Sequence, residues 1–396
     1  ETYTLGRSSA ASDVYKRQAL PRLGIAQTPS LWLPGGRLLF IAGTTIEGIN
    51  LYLARISDDG TISGPAVPLT AGPGMTWMPT VSDGGRIALA RFMWVAHLWE
   101  VLLDPATGGA AGPARRLTDE DAPKFGFSLS RDGDRLAYSS YFFVQGAERV
   151  EVRLQDRTTG EETVAVSVGG GRSGSLRPRL SPDGRVLTWR RRVEGKLTTF
   201  VAPTGESSGR PLCEACGIDS FFSDGEHVLV DRGRTLTRMN VDSGEESVLL
   251  EVEDRVLLDA DLSWDDAALA VLTGGPEGDL AIHVLPIRDE PVPPEEWIEV
   301  AGGDSVLDAP RWSPNRELLY FLSDRDDSLC VWAQALDPKT HQSVGDPVAI
   351  AHAHDSEQKL LSSMRSMWSL AVGQDRLVYN AARSSGNVYT ALLPEP

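Results

Sequence analysis

Short runs of alternating hydrophobic and polar residues fill most of the chain, and a turn sequence interrupts each pair of runs. The clearest example is LSPDGRVLTW at 180–189. Its Asp-Gly pair supplies the positive-φ position that a tight hairpin needs, and β-branched and aromatic residues flank the pair. The pattern predicts two antiparallel strands joined by a short turn.

The same frame recurs along the whole chain at intervals of about 48 residues. The other copies are LPGGRLLFIA (33–42), VSDGGRIALA (81–90), LSRDGDRLAYSS (129–140), FSDGEHVLVD (222–231), LSWDDAALAVL (262–272), WSPNRELLYFLS (312–323) and VGQDRLVYNA (372–381). Eight near-copies at regular spacing indicate a repeat architecture, since a single match would carry no weight.

Each copy continues into a third strand and a shorter fourth strand, as in TLTRMNVD (235–242) followed by ESVLL (246–250). Four short antiparallel strands in 40–50 residues are typical of one blade of a β-propeller. The predicted fold is therefore an all-β propeller of about eight four-stranded blades, or seven if the copy at 252–300 or at 351–396 is not a blade. Even spacing without linkers disfavours an array of β-sandwiches.

The two ends of the chain predict how the ring begins and closes. Residues 1–18 resemble a translated transposase adapter and are set aside as a non-native, disordered leader, so that the true upstream sequence would be lost. Residues 19–396 are expected to form one domain. The last copy lacks a fourth strand, and residues 19–25 resemble the fourth strands elsewhere, which predicts that the N-terminal strand closes the last blade.

Composition excludes several classes of partner. The 396 residues carry a net charge of −17, which disfavours nucleic acid and anionic membrane surfaces. No stretch approaches the ~20 apolar residues that a membrane helix needs. A protein, a peptide or a small ligand is the expected partner, and no membrane insertion is expected.

The S-P-D-G-R frame, followed by an alternating strand and a D-x-x-T-G turn, resembles the repeats of TolB-type (PD-type, WD-like) propellers over residues 19–396. The stretch 309–354 resembles most closely the propellers that follow bacterial Ser/Thr protein kinases. That resemblance implies an extracytoplasmic sensor or binding module, periplasmic or at the cell surface, tethered by a membrane helix upstream. Such propellers also gate prolyl-oligopeptidase hydrolases, which leaves a gating propeller without its catalytic domain as the alternative function.

No complete catalytic motif is present. The string GGGRSGS at 169–175 lacks the spacing of a serine nucleophile elbow, and neither a Walker loop nor a kinase glycine-rich loop occurs. The chain is therefore predicted not to be an enzyme and to need no cofactor. A lyase or glycosidase would instead show paired carboxylates of raised pKa at the channel mouth.

Binding residues are expected on the loops between blades, at 71–78, 119–126, 171–178, 303–309 and 352–366. Most of the ten tryptophans fall in the repeated strands and are expected to pack between blades. Trp77, Trp94 and Trp297 fall outside that frame and are candidate exposed binding aromatics.

Metal and disulfide chemistry is sparse. Cys213 and Cys216 form one CxxC, which is half of a zinc site, so a local disulfide or two thiols is expected. His352 and His354 are weak metal candidates with Asp308 or Asp355, but two histidines alone do not make a site. Asp324, Asp326 and Asp327 are interpreted as a hairpin tip, because their spacing fails the calcium-loop pattern. No metal site is predicted.

Overall fold

A computed structural model describes residues 28–43, 49–71, 74–120, 122–144, 147–169, 176–206, 208–303, 305–352, 360 and 369–393. The predicted leader at 1–18, the closing segment at 19–25 and His354 lie outside these residues. Across the described ranges the fold is all-β, and one short 3₁₀ helix, Pro294–Glu296, is the helical segment among them. No described helix has the length and apolar character required to cross a membrane.

Six antiparallel sheets each consist of four strands that are consecutive in the chain. They are β1 (Thr28–Leu33), β2 (Arg37–Ala42), β3 (Asn50–Arg55), β4 (Val67–Pro68); β8 (Lys124–Leu129), β9 (Arg135–Val144), β10 (Ala147–Asp156), β11 (Glu162–Gly169); β12 (Arg179–Leu180), β13 (Val186–Val193), β14 (Lys196–Pro203), β15 (Arg210–Glu214); β16 (Gly217–Phe221), β17 (His227–Asp231), β18 (Thr235–Asn240), β19 (Glu246–Glu251); β20 (Val256–Leu262), β21 (Ala268–Gly274), β22 (Leu280–Pro286), β23 (Ile298–Ala301); β24 (Leu307–Trp312), β25 (Leu318–Ser323), β26 (Cys330–Leu336), β27 (Ser343–Ala351).

The turn between the first and second strands is held by a serine in four of these repeats. Its Oγ accepts a hydrogen bond of 2.9 Å from the backbone N–H five residues later, as Ser181 does from Val186. The same bond links Ser130 to Arg135, Ser263 to Ala268 and Ser313 to Leu318. Because the side chain satisfies a turn N–H that no strand partner reaches, the S-P-D-G frame encodes the hairpin directly.

The seventh sheet joins the second and the last repeats. Its strands are β5 (Met75–Val81), β6 (Arg86–Leu102), β7 (Arg115–Arg116), β28 (Leu370–Val372) and β29 (Arg376–Leu392). β6 and β29 are each 17 residues long and pair antiparallel along their full length. β5 and β28 flank them, and β7 pairs with β6.

The predicted count of eight separate blades is not confirmed, because the described residues form seven sheets and the second and last repeats share one of them. The reason lies at 91–96, where Arg-Phe-Met-Trp-Val-Ala contains neither Gly nor Pro. Without a turn signal the second and third strands of this repeat run on as one strand. Opposite them, Gly386 allows close approach, since a Cβ there would lie 2.9 Å from Phe92 Cβ.

The closure predicted for the last repeat involves residues 19–25, which lie outside the described residues, so it stays a prediction. Among the described residues, β28 and the first half of β29 are followed in the sheet by the second half of β6 and by β7, which occupies the fourth-strand position.

Six first strands pack side by side in the order β8, β12, β16, β20, β24 and β28, and β28 also packs against β8. Hydrophobic clusters fill the spaces between neighbouring sheets. Between β20–β23 and β24–β27, for example, the fully buried Trp312 packs with Ala270, Ile282 and Leu319. The first strands therefore surround a common axis, which is the arrangement of propeller blades.

Candidate functional site

A pocket lies on this axis, and all six first strands contribute to its wall. We call it the central pocket; its volume is about 90 Å³. The polar lining includes Ser128, Arg131, Arg179, Asp219, Ser220, Asp261 and Arg311, and the apolar lining includes Phe127, Phe221, Trp264, Trp312 and Leu370. Six separate strands thus place their side chains around one small space.

Arg179 and Arg311 occupy equivalent positions, two residues before the turn serine, in the strings RPRLSP and APRWSP. Each guanidinium reaches the first strand of the next sheet. Arg179 Nε donates to the carbonyl oxygen of Asp219 at 2.9 Å, and Arg311 Nε donates to that of Leu370 at 3.0 Å. The two arginines therefore connect neighbouring blades at the centre of the ring.

Arg311 is also paired with a carboxylate on the preceding first strand. Its Nη1 and Nη2 donate to the two oxygens of Asp259 at 3.1 and 3.0 Å, with both side chains largely buried. Burial disfavours the guanidinium cation, but Asp259 and Asp261 outweigh burial and raise the pKa of Arg311. The bidentate pair holds Arg311 charged in a low-dielectric environment.

Asp219 is the carboxyl group in the central pocket that is least compensated. Burial raises its pKa well above the ordinary value, and the charges of Asp259 and Asp231 raise it further. Among the described residues, Asp219 Oδ2 is buried without a hydrogen-bond partner. Burial therefore favours the neutral form of Asp219, and its Oδ2 is a polar atom available for a ligand.

Two further carboxyl groups on the inner strands have raised pKa values. Burial raises the pKa of Asp308 to about 7, and the charge of Asp259 adds to this. Burial also raises the pKa of Asp261, whose Oδ2 accepts the backbone N–H of Trp312 at 2.9 Å. The inner strands therefore carry carboxyl groups of raised pKa, the feature expected of an acid–base enzyme, interleaved with arginines.

One end of the central pocket is crossed by a side chain from the opposite side of the ring. Arg131 follows β8, and its Nη1 donates to the carbonyl oxygen of Trp264, which follows β20, at 2.7 Å. Its guanidinium also lies over the Trp264 ring, 5.2 Å from the centroid. Because β8 and β20 are three strands apart in the ring, this contact covers the turn end of the pocket.

A smaller pocket of about 20 Å³ adjoins the first one through Asp219. Arg177, Arg190 and Asp231 also line it. Burial lowers the pKa of Arg190 to about 10, with the charges of Arg177 and Arg179 adding to the effect. Asp219 therefore lies between two groups of arginines.

The three candidate aromatics occupy different environments. Trp77, on β5, is 43 % exposed. Trp94 is on β6 and pairs with Ser384, and the environment of its side chain lies outside the described part of the chain. Trp297 is half-buried: its Nε1 donates to the carbonyl oxygen of Val292 at 3.0 Å, and its ring packs on the core of its sheet. None of them lines the central pocket.

The cysteine and histidine candidates also lie away from the central pocket. Cys213 and Cys216 are joined in a disulfide at the end of β15. His352 follows β27, and its partner candidate His354 falls outside the described residues. Cys330 is a buried thiol at the start of β26, outside the Cys213–Cys216 disulfide.

Of the loops expected to bind ligand, 171–178 holds Arg177, which lines the smaller pocket, and 303–309 holds Asp308, which lies on β24. The pocket arginines themselves were missed. The signal that could have found them is a charged residue two positions before the turn serine, with apolar residues on either side of it in the sequence. Arg179, Arg311 and Asp261 all occupy this position. A charge at a buried position of a repeated strand indicates a common polar axis.

Comparison with solved structures agrees with this architecture. A TolB-type protein of Agrobacterium tumefaciens superposes with a TM-score of 0.53 at 15% identity, over 73% of this chain and 99% of that chain. TolB of Acinetobacter baumannii gives 0.49 at 14% identity, over 86% and 80%. An oligogalacturonate lyase of Vibrio parahaemolyticus gives 0.43 at 14% identity, over 78% and 88%.

No family model matches the chain, and no curated protein matches it. At these identities the likeness to the Agrobacterium protein establishes the fold alone, which is a β-propeller.

Proposed function

We propose that this chain is a non-catalytic binding or sensor propeller whose central pocket receives a group from a protein or peptide partner. The observation that carries the proposal is Asp219, a buried carboxyl group of raised pKa with one unpartnered oxygen, in a pocket built by six first strands. Propellers bring several blades together around one channel, so a single partner can contact many strands at once.

The size of the pocket favours a partner that inserts one small group. Pockets for whole small molecules usually measure about 300–1,000 Å³, whereas this one measures about 90 Å³. A volume of this size accepts one side chain or a chain terminus. The remainder of the partner would then lie on the loops around the ring.

The chemistry of the lining favours an acceptor group. Burial raises the pKa of Asp219 and so favours its neutral form, which can donate a hydrogen bond, and Arg179 lies on the adjoining strand. A carboxylate is the group best matched to a neutral donor beside an arginine. We therefore infer that the inserted group is an acidic side chain or a C-terminal carboxylate.

We propose that the protein acts outside the cytoplasm. The Cys213–Cys216 disulfide is a bond of oxidising compartments, and the TolB-type likeness points in the same direction. Within that setting, we propose a single ring module spanning residues 19–396, acting as the sensor part of a receptor-type kinase or as a free envelope protein.

The test is selection of peptides from a displayed random library, with free-carboxylate C termini, followed by calorimetric titration. We expect the selected peptides to carry acidic groups. They should bind the Asp219→Ala variant at least about tenfold more weakly than the parent, because one charge-assisted hydrogen bond is lost. Asp242→Ala, at a 95 % exposed side chain, is the control. Equal binding to both variants, or no enrichment, would overturn the proposal.

A second candidate is an acid–base enzyme, because Asp219 and Asp308 have raised pKa values near the axis. A glycosidase or lyase substrate needs more room than the pocket offers in this structure. Incubation with polygalacturonate and with chromogenic glycosides tests this candidate. Turnover that is lost in Asp308→Asn would favour the enzyme, and no turnover would exclude it for those substrates.

A further inference from the structure

Three side chains that ligate metals converge at one edge of the β24–β27 sheet, away from the central pocket. Asp326 lies in the turn between β25 and β26, Cys330 is the first residue of β26, and His352 follows β27 directly. One ligand atom from each lies within 4.8 Å of the others. They are separated by up to 26 positions in the chain, so the fold of the sheet brings them together.

The distances among the three donor atoms suit one bound ion. His352 Nδ1 is 3.3 Å from Asp326 Oδ2 and 3.8 Å from Cys330 Sγ. With zinc bond lengths of about 2.0–2.3 Å, tetrahedral ligand atoms lie roughly 3.3–3.6 Å apart. The observed separations are close to those values, so an ion could be bound with only small side-chain movements.

The same geometry disfavours a nucleophilic Cys-His-Asp triad. In such a triad the histidine contacts the nucleophile through one ring nitrogen and the carboxylate through the other. Here both Cys330 and Asp326 approach Nδ1 of His352. The Cys330 thiol and the Asp326 carboxylate therefore both face the same nitrogen of His352. This arrangement suits the coordination of one ion and does not suit a proton relay.

The surrounding sheet holds the donors in place. Cys330 is fully buried and pairs with Ser323 across the β25–β26 ladder. The ring of His352 meets Trp332 edge-on, with centroids 6.0 Å apart. Just before Cys330, Leu329 forms a bridge with Leu360. The His352 side chain is 57% exposed, so an ion can enter from solvent.

We propose that Asp326, Cys330 and His352 bind one transition-metal ion. A thiolate, an imidazole and a carboxylate together favour Zn²⁺. The ion would release the Cys330 thiol proton to solvent, and one thiolate and one carboxylate would balance its two positive charges. The described residues supply three ligands, and water or another donor would take a fourth position. This inference does not depend on the function proposed for the central pocket.

The test uses Co²⁺ as a spectroscopic probe and Zn²⁺ in competition with a chromogenic chelator. Both are added to the full chain carrying Cys213→Ser and Cys216→Ser, which leaves Cys330 as its one thiol. We expect one Co²⁺ per chain with a thiolate-to-metal charge-transfer band. His352→Gln, at an exposed position that leaves folding intact, should weaken binding by at least about tenfold.

His227→Gln is the matched control, because His227 also contacts a carboxylate through Nδ1, at 2.7 Å from Asp224 Oδ2, but has no thiol beside it. It should bind metal as the parent does. A cobalt complex without the thiolate band, or equal affinity in the His352→Gln protein, would overturn the proposal. Cys330→Ser, with its fold checked by circular dichroism, should abolish the band.

Discussion

At the scale of single residues, the centre of the ring is a network of buried charges. Arg311, for example, contacts the side chain of Asp259 and the backbone of Leu370. These two residues lie on the first strands to either side of the strand that carries Arg311. A buried charge is costly to desolvate, and a close partner of opposite charge offsets that cost. The network therefore makes the positions of the inner strands depend on one another.

Replacing Arg311 with Met should destabilise the protein by about 3–5 kcal/mol, because Asp259 would be left buried and uncompensated. Urea denaturation followed by tryptophan fluorescence measures this change. Arg185→Met, at a side chain that is 84% exposed, should change stability by less than about 0.5 kcal/mol. A loss for Arg311→Met as small as the control's would contradict the network.

The raised pKa of Asp308 predicts a pH dependence of stability. Burial raises this pKa from 3.8 to about 7, so the folded chain binds the proton more tightly than the unfolded chain does. The stability contributed by this group is full below about pH 4 and is lost as the pH rises to about 7.

Asp308→Asn should remove that loss, since the amide stays neutral and its oxygen can still accept the Ala309 N–H. Urea titrations at about pH 5 and pH 8 should then show a smaller decrease in the free energy of unfolding than in the parent. The exposed variant Asp242→Asn should keep the parent's profile. An unchanged decrease in Asp308→Asn would show that Asp308 is already ionised near pH 5.

At the scale of elements, the pairing of β6 with β29 is the unusual feature. The two strands connect the second repeat to the last one over 17 positions each. Antiparallel pairing of this length satisfies the backbone of both strands without a turn in either. The pairing links the sheet formed by β28 to the outer strand β5.

Gly386→Ala tests this pairing directly. The added Cβ would lie 2.9 Å from Phe92 Cβ and 3.2 Å from the Arg91 carbonyl oxygen, so the strands must separate. We expect a loss of about 1–3 kcal/mol, measured by thermal unfolding. Gly112→Ala adds a Cβ with no neighbour within 4 Å and should leave the melting temperature unchanged. Equal behaviour of the two variants would refute the close contact.

The strands could be predicted from sequence because their signals are local. The Ser-Pro-Asp-Gly turn at 181–184 and the alternation around it specify a hairpin without reference to the remainder of the chain. The partner of a strand is a non-local property. Nothing within 86–102 indicates that it pairs with 376–392, and the one clue, the missing turn at 91–96, is an absence of signal.

The candidate site was less predictable for the same reason. Arg179, Asp219 and Arg311 lie on three different repeats, and their proximity arises only when the first strands surround an axis. Trp77 was proposed as a binding residue because it departs from the repeat, whereas the pocket residues follow the repeat and differ only in charge. A charged residue at a fixed position in the repeat is therefore the sequence signal that points to the central pocket.

At the scale of the whole molecule, the ring of first strands brings charged and polar side chains together on one axis. The central pocket opens on that axis, and the contact of Arg131 with Trp264 covers one end. In the proposed function, the partner inserts its group into this pocket, beside the Trp264 ring that lines it. The proposal therefore puts binding at the axis and away from the exposed surface of β5.

Oxidative footprinting of tryptophans, with and without a selected acidic peptide, tests that central claim most directly. Trp264 lines the central pocket, whereas Trp77 is exposed on β5 and serves as the internal reference. The account predicts that the peptide slows oxidation of Trp264 and leaves Trp77 unchanged. Protection of Trp77 with no change at Trp264 would place the binding surface on β5 and contradict the account.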